Sequence, residues 1–478
     1  MRGILYSLQG KKLAMHRCKN QVLFENNGVV RENPEDWNKN TKQIISAITA
    51  CKGVDPRKIR AVVITAQRSS IIPLDRQGVP LMDTIMWQDT SNCEICERLS
   101  EYNDLVFAKT GSHVNAVFSG GKMAWVHENY PEIYAKTDKF VNIPEYINYI
   151  LTGTYCSDYT YASRTGLFNI HTKTWDQELL SLYGLTASKL CALKEPGKIS
   201  GYVQPAFAKE TGLLAGTPVI HAGGDQQCAA VGQNVIHSGN VSVVTGTGGF
   251  IIGALDQIPD GLKDNVVCNC SSVAGKYVIE ANVLACSAAF DWFAKTIYGM
   301  DKIDYGLTEK ELQKESAVTE CLVLPYFEGK GAPDWNSDAK ALFSDITLGT
   351  RRSELFKSMM ESIFMELNNH LNDFARYMDI NQIFISGGMT SSSFLNQLQA
   401  DIYGHPVKIQ EDAEATAFGA FLVALIGLGI YESFDKAVEE LRMNQEVTVY
   451  EPDMQMHEQF IVKQQKMNEL YERVFGKK

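Results

Sequence analysis

The chain has 478 residues, 45% of them hydrophobic and 21% charged, with a formal net charge of −11. Such a length holds about two to four domains, and such a composition excludes a disordered chain. The negative balance argues against a nucleic acid or an anionic membrane as partner, since either wants a broad Lys/Arg face. It leaves room for a small anion bound by backbone N–H groups and a metal ion.

The opening Met1-Arg2-Gly3-Ile4-Leu5 lacks the long apolar run and cleavage site of a signal peptide. Residues 4–8 and 12–15 flank Gln9-Gly10 and predict a hairpin. Residues 37–50 carry Ile44, Ile45 and Ile48 at helical spacing. Residues 61–65 form a buried-strand run that ends in Gln67-Arg68-Ser69-Ser70, with residues 71–74 and a turn at Arg76-Gln77-Gly78 beyond it. Helical patterns dominate residues 93–151. They open on Cys93-Glu94-Ile95-Cys96, a CxxC without a second pair or a His cluster, which reads as two reduced thiols before it reads as a zinc or redox site. Eleven cysteines in so long a chain make no disulfide framework, and the expected compartment is the cytoplasm.

Residues 219–222 are another strand, closed by Gly223-Gly224-Asp225 and followed by a small-residue helix over 226–232. The pattern then begins again. A strand at 241–244, a glycine-rich turn at 245–249 and a strand at 250–252 lead to a long amphipathic helix over 353–378. A strand at 383–385 breaks at Ser386-Gly387-Gly388, and helices over 394–402 and 413–428 follow. The apolar stretch 419–430 is too short to span a bilayer and reads as a buried helix. Strands alternating with helices in both halves predict α/β layers, with a boundary near Gly239 that yields domains 1–238 and 239–478. No short repeat, low-complexity tract or charged tail stands out.

Three glycine-rich strand ends could carry chemistry. In Gly223-Gly224-Asp225-Gln226-Gln227 the carboxylate sits where open α/β sheets present their ligands, able to take a proton from a hydroxyl or to help hold Mg²⁺; a plain helix N-cap is the other reading. In Thr245-Gly246-Thr247-Gly248-Gly249 successive N–H groups can nest an anion, against the alternative of a tight hairpin. It is neither a Walker A loop nor a Rossmann fingerprint, lacking Gly-Lys-Ser/Thr and leading into a strand. In Ser386-Gly387-Gly388-Met389 a phosphate could rest on the following helix, against simple turn chemistry. Together the ends favour a nucleotide cleft. Arg68 could bind substrate oxygens or a surface carboxylate, and Trp87 could flank a substrate carbon or fill a core.

These segments, with Trp87-Gln88-Asp89, Leu151-Thr152-Gly153, Asp158-Tyr159, Ala162-Ser163-Arg164-Thr165, Gly331-Ala332-Pro333-Asp334-Trp335 and Gly387-Gly388, resemble the FGGY carbohydrate kinases over nearly the whole chain, and glycerol kinases within them. The resemblance implies an α/β fold of two ribonuclease-H-like domains of the actin/hexokinase superfamily, with a cleft between them. It implies ATP-dependent phosphorylation of a hydroxyl of a small polyol or sugar. Asp225 would be the general base and help hold Mg²⁺. Gln67, Arg68, Trp87 and Gln226 would orient the acceptor, with Phe250 against its carbon face. Gly246, Thr247 and Gly248 would cradle the β- and γ-phosphates, and Gly387, Gly388 and Ser392 would lie along the α-phosphate and adenosine. Mg²⁺ would bridge the phosphates, and closure of the cleft would exclude water. Homodimers or homotetramers are implied as assemblies.

The chain departs from the family pattern in two places. It begins at what matches the strand after the family's Asp-x-Gly-Thr strand, so Met1 is expected to be an internal methionine of a longer protein; the chain as written would lack a central strand and a metal-binding carboxylate. The acceptor side has Ser69 where glycerol kinases carry Glu, and Val117 where they carry Tyr, so a larger acceptor such as a longer polyol or a ketose is expected. A pentulose kinase such as a xylulokinase and a catalytically inactive sugar or nucleotide sensor are the competing readings.

Overall fold

The computed structural model describes residues 1–300, 305–315, 318–331, 334–410, 414–442 and 446–476. The expected opening hairpin is present: Arg2–Tyr6 runs antiparallel to Lys12–Arg17, and Ser7 closes the turn through its N–H to Lys11 O and its O to Gly10 N. Against it packs the helix Pro34–Thr49. Asn33 starts that helix by accepting the Glu35 N–H at 2.9 Å, Pro34 sits in the first turn, and Trp37, Thr41, Ile44 and Ile48 form the buried stripe.

The first half builds several small sheets. Val62–Ala66 and Pro218–Gly224 pair in parallel, and Ile199–Tyr202 joins them antiparallel in a three-stranded sheet. The strand predicted at 219–222 runs on through Gly223 and Gly224, with a register shift between His221 and Gly223. At the shift Gly223 takes φ +113°, and a Cβ there would stand 2.2 Å from Ser272 Oγ; only glycine fits.

The second half builds one seven-stranded sheet in the spatial order Val267–Cys270, Tyr277–Val283, Gly249–Leu255, Asn240–Thr245, Gln382–Ser386, Val407–Gln410, Val447–Tyr450. Asn240–Thr245 is antiparallel to Gly249–Leu255 and parallel to Gln382–Ser386, which is parallel in turn to Val407–Gln410. These orders and directions are those of a ribonuclease-H-like domain. The helix Arg352–Phe374 lies against this sheet, burying Phe356, Ile363, Phe364, Leu367 and Phe374 in the largest apolar core.

The halves are interleaved by two helices. Asp225–Gly232 of the first half crosses Ala415–Gly427, which also covers Val62–Ala66 and Pro218–Gly224. The crossing is backbone against backbone: a Cβ on Gly419 would lie 1.8 Å from Cys228 O, and one on Gly232 2.0 Å from Ala415 O. The helix expected over 413–428 thus runs Ala415–Gly427; its expected start, Ala413, lies outside the described residues. All the cysteines are free thiols, the CxxC pair included. No helix among the described residues is long and apolar enough to cross a membrane.

Candidate active site

The acid wall is assembled at the ends of Val62–Ala66 and Pro218–Gly224. Asp225 is the first residue of its helix and Gly224 holds the N-cap position, so the simple capping alternative does not apply. Asp225 Oδ1 accepts the Gln226 N–H at 2.8 Å, and among the described residues no donor takes Oδ2. Burial pushes this carboxyl above its ordinary value, while Arg68 and Arg164 pull against that rise.

Side chains from a neighbouring turn fix the wall in place. Tyr161 OH donates to Gly223 O at 2.8 Å and accepts the Ala66 N–H at 2.9 Å, tying the two strand ends together. The Gly224 N–H donates to Thr160 Oγ1 at 2.9 Å, and Thr160 donates onward to Asp158 Oδ1 at 2.5 Å. Behind them Asp158 and His221 are fully enclosed, 3.9 Å apart. Burial raises Asp158 to about 6 and lowers His221 to about 3, shifting each toward its neutral form.

Arg68 reaches across to the second half. Its two terminal nitrogens donate to Glu280 Oε1 and Oε2 at 3.0 and 2.9 Å, and Gln227 Nε2 adds 2.7 Å to Oε1. Burial alone would raise Glu280, but the two guanidiniums of Arg68 and Arg164 hold it below its ordinary value. Among the remaining expected acceptor contacts, Trp87 is 37% exposed and its backbone N–H donates to Ser70 Oγ. Gln226 and Phe250 are half-buried, Phe250 facing Asn282 across the ladder. Gln67 turns toward Ser70.

The Gly246-Thr247-Gly248 turn closes the hairpin between Thr245 and Gly249. The hairpin reading and the anion-nest reading are compatible here. The turn's carbonyls receive the first N–H groups of helix Ser287–Tyr298, Cys286 N to Thr247 O at 2.8 Å and Ser287 N to Gly246 O at 2.9 Å. Among the described residues no acceptor takes the Thr247 or Gly248 N–H. Alongside, Gly387 has φ +108°, and a Cβ on it would sit 2.3 Å from Thr245 O, so the two glycine turns touch.

At the third strand end the helix expected over 394–402 runs Ser393–Tyr403, and a 3-10 turn, Gly388–Ser391, separates it from the glycine pair. Its cap is Ser392, buried, with Oγ accepting the Leu395 N–H at 3.3 Å. The side chain of Ser392 is thus engaged with its own helix. Ala332 and Pro333 of the expected Gly331-Ala332-Pro333-Asp334-Trp335 motif lie outside the described residues. No group of three or more acidic, His or Cys side chains is gathered for a metal among the described residues.

Sequence reasoning missed Glu280. It stands as a lone acid in the apolar strand Tyr277–Val283, and that is the signal that could have found it: a carboxylate in a buried run demands a cation.

The family model for the N-terminal domain of FGGY carbohydrate kinases matches residues 1–232, and that for their C-terminal domain matches residues 241–428. The chain belongs to the FGGY family of carbohydrate kinases. A glycerol kinase from Thermococcus gammatolerans is 31% identical over 95% of this chain and 91% of its own length. One from Mycoplasmoides gallisepticum is 29% identical over 93% and 90%. The fold matches xylulose kinase from Lactobacillus acidophilus with a TM-score of 0.91 at 23% identity, covering 99% of this chain and 96% of the other. It matches Plasmodium falciparum glycerol kinase with ADP with a TM-score of 0.87 at 24% identity and the same coverage. As an FGGY kinase of two ribonuclease-H-like domains, the protein transfers a phosphoryl group from ATP to a hydroxyl of a small polyol or sugar.

Proposed function

We propose that Asp225 is the general base of this transfer. The observation that carries the reading is its placement: a half-buried carboxylate at a strand–helix junction, one oxygen fixed by the Gln226 N–H and the other without a protein donor among the described residues. As the acceptor oxygen bonds to the γ-phosphorus and the bond to the departing ADP oxygen breaks, the hydroxyl proton passes to that free oxygen, and burial makes the carboxylate a stronger base than an exposed one. Gln67, Arg68, Trp87, Gln226 and Phe250 line the acceptor side. Gly246, Thr247 and Gly248 cradle the β- and γ-phosphates, Thr247 and Gly248 offering N–H groups that no acceptor among the described residues takes, with Gly387, Gly388 and Ser392 along the rest of the nucleotide.

Mg²⁺ fits this arrangement in one way. With no acidic cluster among the described residues, the ion would be held by the nucleotide's phosphates and water with Asp225 as the protein carboxylate. When bound it neutralises charge developing during transfer. We place the domains at 1–238 and 239–478, the compartment as cytoplasm and the assembly as a homodimer or homotetramer. The acceptor we infer to be larger than glycerol, because Ser69 and Val117 replace two bulky polar contacts of the glycerol kinases.

The test is ADP release with Mg-ATP over glycerol, erythritol, xylitol, xylulose, ribulose and gluconate. Acceptor-dependent turnover should fall by about 10² to 10⁴-fold in Asp225→Asn. Equal turnover in the variant would remove Asp225 from the chemistry. Nucleotide binding without turnover on any acceptor would instead favour the sensor reading.

A further inference from the structure

Arg164 follows the turn Tyr159–Ala162 that buttresses Asp225. Its carbonyl takes the Ser119 N–H, with Ser69 Oγ 3.4 Å away, so the backbone is fixed by two segments of the acceptor wall. Its guanidinium lies 4.7 Å from the centroid of the Phe118 ring. Arg68, Glu280 and Asp225 all lie within its electrostatic reach. Yet none of them gives it a hydrogen bond. Glu280 is engaged with both terminal nitrogens of Arg68 and with Gln227, and Asp225 Oδ1 with a backbone N–H. Among the described residues no acceptor takes any Arg164 N–H, and Nε is sealed from solvent without one.

A sealed Nε without an acceptor is costly, while the half-buried side chain leaves its terminal nitrogens accessible, and Phe118 packs against the guanidinium without supplying an acceptor. Position 69, adjacent in sequence to Arg68 and touching Arg164 through its backbone, is a buried serine in left-handed conformation (φ +73°), too short to supply a carboxylate. An anion with two coplanar acceptors has the shape that a guanidinium fork matches.

We propose that Arg164 binds a carboxylate of the acceptor, so that the substrate class is polyhydroxy acids of the aldonate type. This rests on the kinase reading with Asp225 as base: the acid end docks on Arg164 over Phe118, and a hydroxyl elsewhere on the chain is presented to Asp225.

The experiment pairs acids with neutral polyols of equal length, D-gluconate with D-glucitol and D-xylonate with D-xylitol, measuring ADP release and, separately, calorimetric binding of the acid. The acid should exceed its polyol in kcat/KM by roughly a hundredfold. Arg164→Gln should erase that ratio, Arg164→Lys should restore part of it, and Ser69→Glu should lower it by supplying the carboxylate from the protein. A neutral acceptor preferred by the wild type, or an Arg164→Gln variant that lowers acid and polyol alike, overturns the proposal. If no acceptor is phosphorylated, binding decides: gluconate held by the folded wild type and lost in Arg164→Gln keeps the carboxylate site while the kinase reading falls. No binding of either acid by the folded wild type overturns the site.

Discussion

The two halves hold their parts of the site by different means. In the second half the glycine turns are placed by the sheet itself: Thr245 and Gly249 end one ladder, Val244 pairs with Ser386, and Gly387 rests on the Thr245 backbone. In the first half the sheets are small and separate, and the strand ends that carry Asp225 are joined by side chains, Tyr161, Thr160 and Asp158 from within and Glu280 from the other half. The lesson is that the phosphate side depends on backbone continuity and tolerates changes of side chain. The acceptor side depends on buried polar groups whose loss leaves partners unsatisfied.

The sharpest way to break this contrast is Glu280→Gln. It leaves Arg68 buried beside a neutral group, and removing one partner of a buried ion pair costs about 3–5 kcal/mol. The urea midpoint should drop accordingly. The acid limb of kcat/KM should also move: Glu280 raises the pKa of Asp225, so its loss should bring that limb to lower pH, whereas Arg68→Gln should bring it to higher pH. If neither limb moves, Asp225 is not the titrating base.

Next in size is Gly387→Ala. The added Cβ meets the Thr245 carbonyl in a backbone conformation that alanine resists, a cost of about 3 kcal/mol. Nucleotide affinity should weaken more than acceptor affinity, read as the two KM values. A loss shared equally would show that the halves do not act separately.

His221 gives the third. Its folded pKa, lowered from 6.5 to about 3, means that its contribution to stability is complete above pH 6.5 and is lost as pH falls through that value. Alone it would cost about 2 kcal/mol by pH 5. Asp158, raised to about 6, has the opposite sign: it favours the folded state as pH falls through 6, offsetting part of the loss. His221→Gln should therefore lose less stability than the wild type between pH 7 and 5, measured by urea unfolding at each pH. Equal losses would show that His221 takes up its proton without opening the site.

The smallest expected effect is Tyr161→Phe, which removes the hydroxyl that joins Gly223 O and the Ala66 N–H, a net loss of about 1 kcal/mol. Turnover should fall more than nucleotide binding.

Alternation of apolar runs with helical periods, and glycines at strand ends, made the α/β layers and the turns at 246–248 and 387–388 legible from the residues. Local chemistry was enough there, because a strand's polarity and a glycine's freedom are properties of a few neighbouring residues. The position of Asp225 at the end of a strand was legible for the same reason. The cap at Ser392 was not, since the turn Gly388–Ser391 is inserted between strand and helix. Nor was the pairing of Arg68 with Glu280, which are 212 residues apart. The sequence by itself determined which residues could accept a proton or nest an anion. Only the tertiary structure decided which charges are matched and which, like Arg164, are left facing the site, because pairing of buried charges depends on distance through space and on what water has been excluded.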